Sequence, residues 1–260
     1  MKDSLRQMGL VAGREFRQLL TTPLFWVLSG VFFLATALVY VALIVGFSYN
    51  FAGEPSALTN GSTDVTIAVI HDLFYIVHYF LMIQIPLLTM RSMAEENKSN
   101  TLALLKTMPV GEWSIIFGKF LANTGAIALY LLITLIFPLV TELISDPHWP
   151  VIIACYLALL LAAAAYVATG IFFSSITESQ VIAAVLTYVF LFFLLVFTAV
   201  ADNISAPVIS QLAAHLTVQA HIEGFLIGNV ALPDVVYFTV FAWMFIFAAV
   251  RILESMRWRA

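Results

Sequence analysis

The sequence predicts an all-α membrane protein with six transmembrane helices. Only 10% of its 260 residues are charged and 62% are hydrophobic, whereas a soluble domain carries about 25% charged residues. Six apolar stretches also approach or exceed the roughly 20 residues that a membrane helix needs. This composition excludes a soluble enzyme. The net charge of −4 excludes a nucleic-acid-binding protein, because it supplies no basic field for phosphates.

The first predicted element is an interfacial amphipathic helix over residues 3–20. Arg14 and Arg17 lie mostly off its apolar stripe, which consists of Leu5, Met8, Ala12, Phe16 and Leu19. A basic amphipathic helix lies flat at the level of the lipid headgroups. Two interpretations stay open: the helix only anchors the chain, or it acts as a lever beside a cytoplasmic partner. Pro23 ends it and begins the first span.

Six predicted spans follow. They cover about residues 24–47, 66–90, 120–140, 151–173, 181–201 and 235–250. The last is short, at about 24 Å, and it spans if Asp234 and Arg251 reach outward to the headgroups. The first span is 24 residues long and follows some 23 residues, so we expect it to be retained rather than cleaved as a signal peptide.

The basic residues predict the orientation. Six spans place both termini on one side, which then holds all 11 Lys and Arg residues. The charged residues of the opposite side are all acidic. An excess of Lys and Arg marks cytoplasmic loops. Both termini and the loop of residues 91–119 are therefore predicted to be cytoplasmic.

That loop is the only sizeable cytoplasmic loop of this topology. It opens with a charged run that includes Glu95 and Glu96, and a short helix is predicted over Thr101–Met108. Pro109 ends this helix, because the residue before a proline avoids the helical region.

Leu102 and Leu105 lie one turn apart on one face of the short helix. A helix of this length is marginal in water, so we expect it to dock on another surface. That surface is either the chain's own membrane domain or a groove of a partner protein, with the two leucines as anchors.

On the outer side, residues 205–232 are predicted to form a helical segment. Its polar residues recur at steps of four: Gln211, His215, Gln219 and Glu223. The stripe fits a helix that dips into the outer leaflet or one that lines a polar cavity. Gly224 and Gly228 are predicted to break it before the last span.

The sequence contains no motif of an enzyme. The Gly118-Lys119 pair lacks the upstream glycine of a phosphate loop, so no ATP site is expected in this chain. No metalloprotease or serine-hydrolase motif occurs, and the uncharged middle of every span argues against an ion-coupled carrier. All five histidines lie in the outer half; ordinary hydrogen-bonded histidines are favoured over metal ligands, and no metal site is predicted.

Several strings in the chain resemble ABC type-2 permeases. The first cytoplasmic loop carries the most of them: Met90 through Glu96, then Thr101, Leu102 and Leu105, Pro109-Val110, and Gly118-Lys119. The family has a glycine where this chain has Asn100. Two further regions are similar to the gliding-motility, GldF-like branch: Arg14-Glu15-Phe16 with Thr22-Pro23, and a C-terminal set from His221 through Asp234 to Trp258.

The resemblance implies an interfacial helix that includes Arg14 to Arg17, a coupling helix, and short outer re-entrant helices before the last span. It also implies which residues couple to an ATPase: Glu95, Glu96, Thr101, Leu102, Leu105, Pro109 and Val110. A complex of this family contains two permease halves, the second being this chain or a homologue, and two cytoplasmic ATPase subunits that hold ATP and Mg²⁺. In the gliding-motility branch a membrane protein with a large outer domain often accompanies the permease.

The expected function is therefore the permease subunit of an ABC transporter, an exporter in a bacterial inner membrane and not itself an enzyme. The family places the substrate path mainly at the first, second and fifth spans. The fifth span is rich in phenylalanine, which argues against a wide aqueous path and favours a hydrophobic or amphiphilic substrate, or no substrate. The alternative is an ATP-driven membrane scaffold that transmits mechanical force to a partner membrane protein without moving a substrate.

Overall fold

The computed structural model describes residues 2–53, 66–98, 111–143, 145–201 and 218–258, and within these ranges the regular elements are helices without strands. A π-helical segment, Thr66–His71, begins the second span. The α-helices, numbered in chain order, are α1 (Lys2–Thr21), α2 (Pro23–Gly53), α3 (Asp72–Thr89), α4 (Arg91–Lys98), α5 (Glu112–Thr134), α6 (Ile136–Glu142), α7 (Trp149–Ile176), α8 (Gln180–Ala201), α9 (Val218–Leu226) and α10 (Leu232–Trp258).

The prediction of six membrane-spanning helices is confirmed. Six stretches of the described chain are long and apolar enough to cross a membrane: Pro23–Tyr49, Val69–Lys98, Glu112–Glu142, Trp149–Ile176, Gln180–Phe197 and Leu232–Ser255. Several of these helices are longer than their apolar parts. Both flanks of the predicted loop of residues 91–119 are helical, since α4 covers Arg91–Lys98 and α5 begins at Glu112.

The junction between α1 and α2 follows from its threonines and its proline. The hydroxyls of Thr21 and Thr22 both donate to the carbonyl of Gln18, at 2.9 Å each. Side-chain hydrogen bonds to the preceding turn satisfy carbonyls that a helix end leaves open. Pro23 then begins α2, where its missing N–H costs nothing.

α7 lies at the centre of the fold. It packs against α3, α5 and α10, and Ala158 and Ala162 are fully buried. Small residues at every fourth position let neighbouring helices approach closely. At Gly170 the two helices lie so close that any side chain there would collide with Thr89 of α3.

Contacts between helices define two ends of the molecule. At one end Ser174, near the end of α7, bonds to the α3–α4 junction, and Lys119 near the start of α5 pairs with α1. We call this the basic end, because the described Lys and Arg side chains of the α1, α4 and α5 segments lie there. At the opposite end Tyr40 bonds to Thr141 at 2.9 Å.

α9 packs onto α7 at the opposite end. Its residues Val218, Ile222, Phe225 and Leu226 are buried, and Gln219 donates to the hydroxyl of Tyr75 at 2.5 Å. The predicted break at Gly224 is wrong, since this residue lies inside α9. The helix ends before Gly228, whose φ of 84° is the left-handed conformation that glycine adopts without strain.

Candidate functional site

A buried lysine joins three helices at the basic end. The Nζ atom of Lys119 on α5 lies 2.8 Å from Glu96 of α4 and 3.3 Å from Glu15 of α1. The lysine side chain is only 3% exposed, and the two carboxylates are 17% and 14% exposed. A charge is buried only when partners compensate the lost hydration, so the three residues depend on one another. We call this set the Lys119 junction.

Polar neighbours extend the junction on both sides. Arg14 lies 3.2 Å from the carboxylate of Glu15. The side-chain amide of Asn123, one turn after Lys119, donates to the Lys119 carbonyl at 2.8 Å and to the Ser92 hydroxyl at 3.2 Å. α4 and α5 are therefore linked by an ion pair and by a hydrogen bond.

The face of α1 that carries Val11 and Phe16 packs on α5. A Cβ atom built on Gly118 would lie 2.7 Å from Cγ1 and 2.8 Å from Cβ of Val11, closer than real side chains approach, and one on Gly125 would lie 3.6 Å from the Phe16 ring. Phe16 and Leu19 pack against the hydrophobic core. Gly118 thus permits the close contact that brings Glu15 to Lys119.

Replacing Gly118 by leucine is expected to push α1 off α5. Overpacking of this kind costs about 1–3 kcal/mol, and the exposed Arg14 and Arg17 of a displaced α1 should become faster sites of tryptic cleavage. Unfolding and limited proteolysis of the purified chain measure both effects. Gly30→Leu is the matched control, because nothing lies within 4 Å of a Cβ at Gly30. A Gly118→Leu chain as stable and as resistant to trypsin as the control would contradict this account of the contact.

α4 is also held by α7. The hydroxyl oxygen of Ser174 accepts from the backbone N–H groups of Met93 and Ala94 and donates to the Met90 carbonyl, each at 3.0 Å. Asn97 donates to the carbonyls of Ser175 and Thr177 at 3.4 and 3.1 Å. The last turn of α4 is thus fixed to the end of the central helix α7.

The residues predicted to couple to an ATPase fall into two groups. Glu95 and Glu96 lie on α4, where Glu95 is exposed and Glu96 belongs to the Lys119 junction. The others, Thr101, Leu102, Leu105, Pro109 and Val110, lie outside the described residues. Their role in coupling stays a prediction.

Among the residues predicted on the interfacial helix, Glu15 and Phe16 face the protein, whereas Arg14 and Arg17 are exposed. Sequence reasoning missed Lys119 as a site residue. A signal was present in α1, because Glu15 follows Ala12 by three residues and precedes Leu19 by four. That spacing places a carboxylate on the apolar stripe, where it needs a cation.

The junction borders a cavity of about 180 Å³. The cavity lies between α1, the start of α2, the α3–α4 junction and α5. Its lining residues are Glu15, Gln18, Leu19, Thr22, Leu24, Phe25, Leu88, Arg91, Ser92, Glu95, Glu96, Lys119 and Asn123.

Three histidines of the opposite half have side-chain partners. His78 bonds to the hydroxyl of Tyr166 at 2.6 Å, His71 lies 3.0 Å from Asp72, and His221 lies 2.6 Å from Asp234. In the described part of the chain, His, Cys, Asp and Glu residues form no group of three or more that could hold a metal ion.

Comparison with protein families agrees with this architecture. The model of the ABC-2 family transporter proteins matches residues 10–252, and the chain belongs to this family. It is the membrane permease component of an ABC transporter, a class that associates with an ATPase subunit and is typically not catalytic itself. A comparison with curated proteins gave no significant match.

Proposed function

We propose that this chain is one half of the permease of an ATP-driven exporter and that a separate cytoplasmic ATPase subunit drives it through α4. The Lys119 junction is the observation that supports this most. α4 ends at Lys98, three residues before the predicted coupling helix Thr101–Met108, and Glu96 on α4 is bonded to Lys119.

The Lys119 junction connects α4 to two helices of the membrane domain, and Ser174 connects it to a third. Through Glu96 and Lys119 it is tied to α5, and through Glu15 to α1. Through Ser174 it is tied to the central helix α7. A displacement of α4 by a docked ATPase therefore acts on three helices rather than on a free loop. This favours the interpretation of α1 as a lever, because α1 shares the buried lysine with α4.

ATP and Mg²⁺ belong to the partner in this proposal. The chain carries no phosphate loop, and two ATPase subunits are expected for two permease halves.

The second permease half fits the apolar faces of α2 and α8, the least buried of the six spans. Large exposed apolar residues of α2 recur at alternating three- and four-residue spacing: Val27, Val31, Leu34, Leu38, Val41 and Val45. Phe192 and Phe193 of α8 are also exposed. Pairing through these spans would line the path with apolar side chains and favours a hydrophobic or amphiphilic substrate.

The permease is proposed to have one more partner, besides its second half and the ATPase. The resemblance to the gliding-motility branch makes an accessory membrane protein with a large outer domain a further expected partner. It would contact the opposite end, where α9 lies.

Both termini are proposed to lie in the cytoplasm of a bacterial inner membrane. A cysteine at Lys98 should then react only with reagents that cross the membrane, whereas a cysteine at Asn60 should react with impermeant reagents in intact cells. The native Cys155 is buried and serves as an internal blank. Labelling of both sites from outside would contradict this topology.

The decisive test of the proposal is ATP hydrolysis in reconstituted vesicles. The purified chain alone should not hydrolyse ATP, and hydrolysis should appear when its ATPase subunit is added and should rise above the rate of the ATPase alone. Hydrolysis by the isolated chain, or an ATPase rate that the chain leaves unchanged, would refute the proposal.

A further inference from the structure

The apolar side of α1 is occupied by the protein itself. Val11 and Phe16 lie against α5, and Leu19 packs against the hydrophobic core. The opposite side of the helix exposes Arg14 and Arg17. What α1 presents to its surroundings is therefore its basic side, so a contact with the bilayer on that side depends on charge rather than on insertion of apolar side chains.

One of these two arginines has no partner for its charge. The guanidinium of Arg14 lies 3.2 Å from Glu15, and Glu15 and Glu96 share Lys119. These four charges sum to zero. Arg17 makes no ion pair within the part of the chain that the structure describes, and Glu15 is the one carboxylate among the described side chains of α1. Arg17 is thus an uncompensated cation.

The contacts of α1 with α5 place Arg17 at the edge of the apolar span. Phe16, the residue before it, lies against Gly125 of α5. The apolar run of α5 begins at Phe120, about 8 Å before Gly125 at the helical rise. An arginine at this depth extends its side chain toward the headgroups, and an unpaired charge there is costly. The groups of opposite charge at that level are lipid phosphates.

A groove on the exposed side of α1 gives an anion access to both arginines. Its lining residues are Leu10, Gly13, Arg14, Arg17, Gln18 and Thr21. No atom lies within 4 Å of a Cβ atom built on Gly13, so the space beside the two arginines is open. A guanidinium has five N–H donors, and Arg14 directs one of them to Glu15. The others are available to an anion in the groove.

We propose that this groove binds the phosphate of an anionic membrane lipid, such as phosphatidylglycerol, in the leaflet at the basic end. Arg17 supplies the charge that holds the phosphate, and Arg14 donates to the same group. A zwitterionic lipid binds less tightly, because its ammonium cancels the negative charge that Arg17 attracts. The inference depends on the membrane location of the chain and not on the ATPase proposal.

Native mass spectrometry of the full-length chain tests the inference. Delipidated protein is titrated with phosphatidylglycerol and with phosphatidylcholine of identical acyl chains. Phosphatidylglycerol should bind about fivefold more tightly, which is the contribution of one basic residue near an anionic membrane surface. Equal binding of the two lipids would overturn the inference, and so would binding of soluble glycerol phosphate as tight as that of the lipid.

Charge variants locate the binding. Arg17→Gln changes an exposed side chain, so the chain should fold, and it should lose most of the preference for phosphatidylglycerol. Arg251→Gln is the matched control and should keep the preference, because Arg251 is also exposed but is paired with Glu254 at 2.7 Å. An equal loss in both variants contradicts the site. If Arg17→Gln keeps the lipid preference and loses ATPase binding, Arg17 faces a protein partner and the inference is wrong.

Two glycine variants separate the groove from the charge. Gly13→Leu fills the groove, leaves both arginines in place and displaces no neighbour. It should weaken the binding of phosphatidylglycerol several-fold. Gly9→Leu adds the same side chain one turn earlier, where equally nothing lies within 4 Å, and should bind as the wild type does. Wild-type binding by Gly13→Leu would show that the groove is not the site.

Discussion

Replacing Lys119 by methionine is expected to lower the free energy of unfolding by about 3 kcal/mol, at the low end of the range for breaking a buried ion pair. The methionine fills most of the volume of the lysine but leaves the carboxylates of Glu15 and Glu96 facing each other without their shared cation. Both carboxylates are mostly buried, so water compensates them only in part. Chemical unfolding of the purified chain in detergent measures the loss.

Two comparisons separate this effect from a general loss of positive charge. Lys98→Met removes an exposed lysine from the same region, and it should change the stability by less than about 0.5 kcal/mol. A triple variant that combines Lys119→Met with Glu15→Gln and Glu96→Gln should recover most of the loss, because replacing a whole buried ion network by neutral residues is often close to neutral. Wild-type stability of Lys119→Met would show that the junction does not hold these helices.

Replacing Leu102 by aspartate is expected to abolish assembly with the ATPase subunit while the membrane domain still folds. A charge placed in a desolvated anchor pocket costs on the order of 2–4 kcal/mol, which is roughly a 30- to 1,000-fold loss of affinity. Leu105→Asp should have the same effect, since both leucines share one face of the predicted helix. A pull-down of the ATPase by each variant and the rate of ATP hydrolysis measure the loss.

The control for this experiment is Leu143→Asp. Leu143 is 85% exposed and lies after α6 at the opposite end, so an aspartate there should leave ATPase binding intact. If Leu102→Asp and Leu105→Asp both bind and stimulate the ATPase as the wild type does, Thr101–Met108 is not the coupling helix.

The membrane spans could be predicted from sequence because the length of an apolar run reports directly on a bilayer crossing. The ends of the helices could not be predicted from the apolar runs. Hydropathy marks the part of a helix that lies in the hydrocarbon, and a helix continues beyond it wherever backbone and side chains permit. For this reason α5 begins at Glu112 and α10 spans Leu232–Trp258, both longer than their apolar cores.

The Lys119 junction could not be predicted from the sequence for a different reason. Glu96 and Lys119 are 23 residues apart, and Glu15 lies on a helix that precedes two intervening spans. Helical periodicity identifies partners three or four residues away, not partners on separate helices. The sequence therefore predicts only that Lys119 ends the cytoplasmic loop of residues 91–119, whereas in the structure its side chain is almost fully buried.

The three hydrogen bonds of Ser174 have a consequence for biogenesis. The amides of Met93 and Ala94 obtain their acceptor from a residue 81 and 80 positions later in the chain. While the ribosome is still translating that stretch, these two amides lack their acceptor, although α4 can already pair with α5 through Glu96 and Lys119. The connection between α4 and α7 therefore closes late, when α7 enters the membrane, and nascent chains that end before Ser174 lack it.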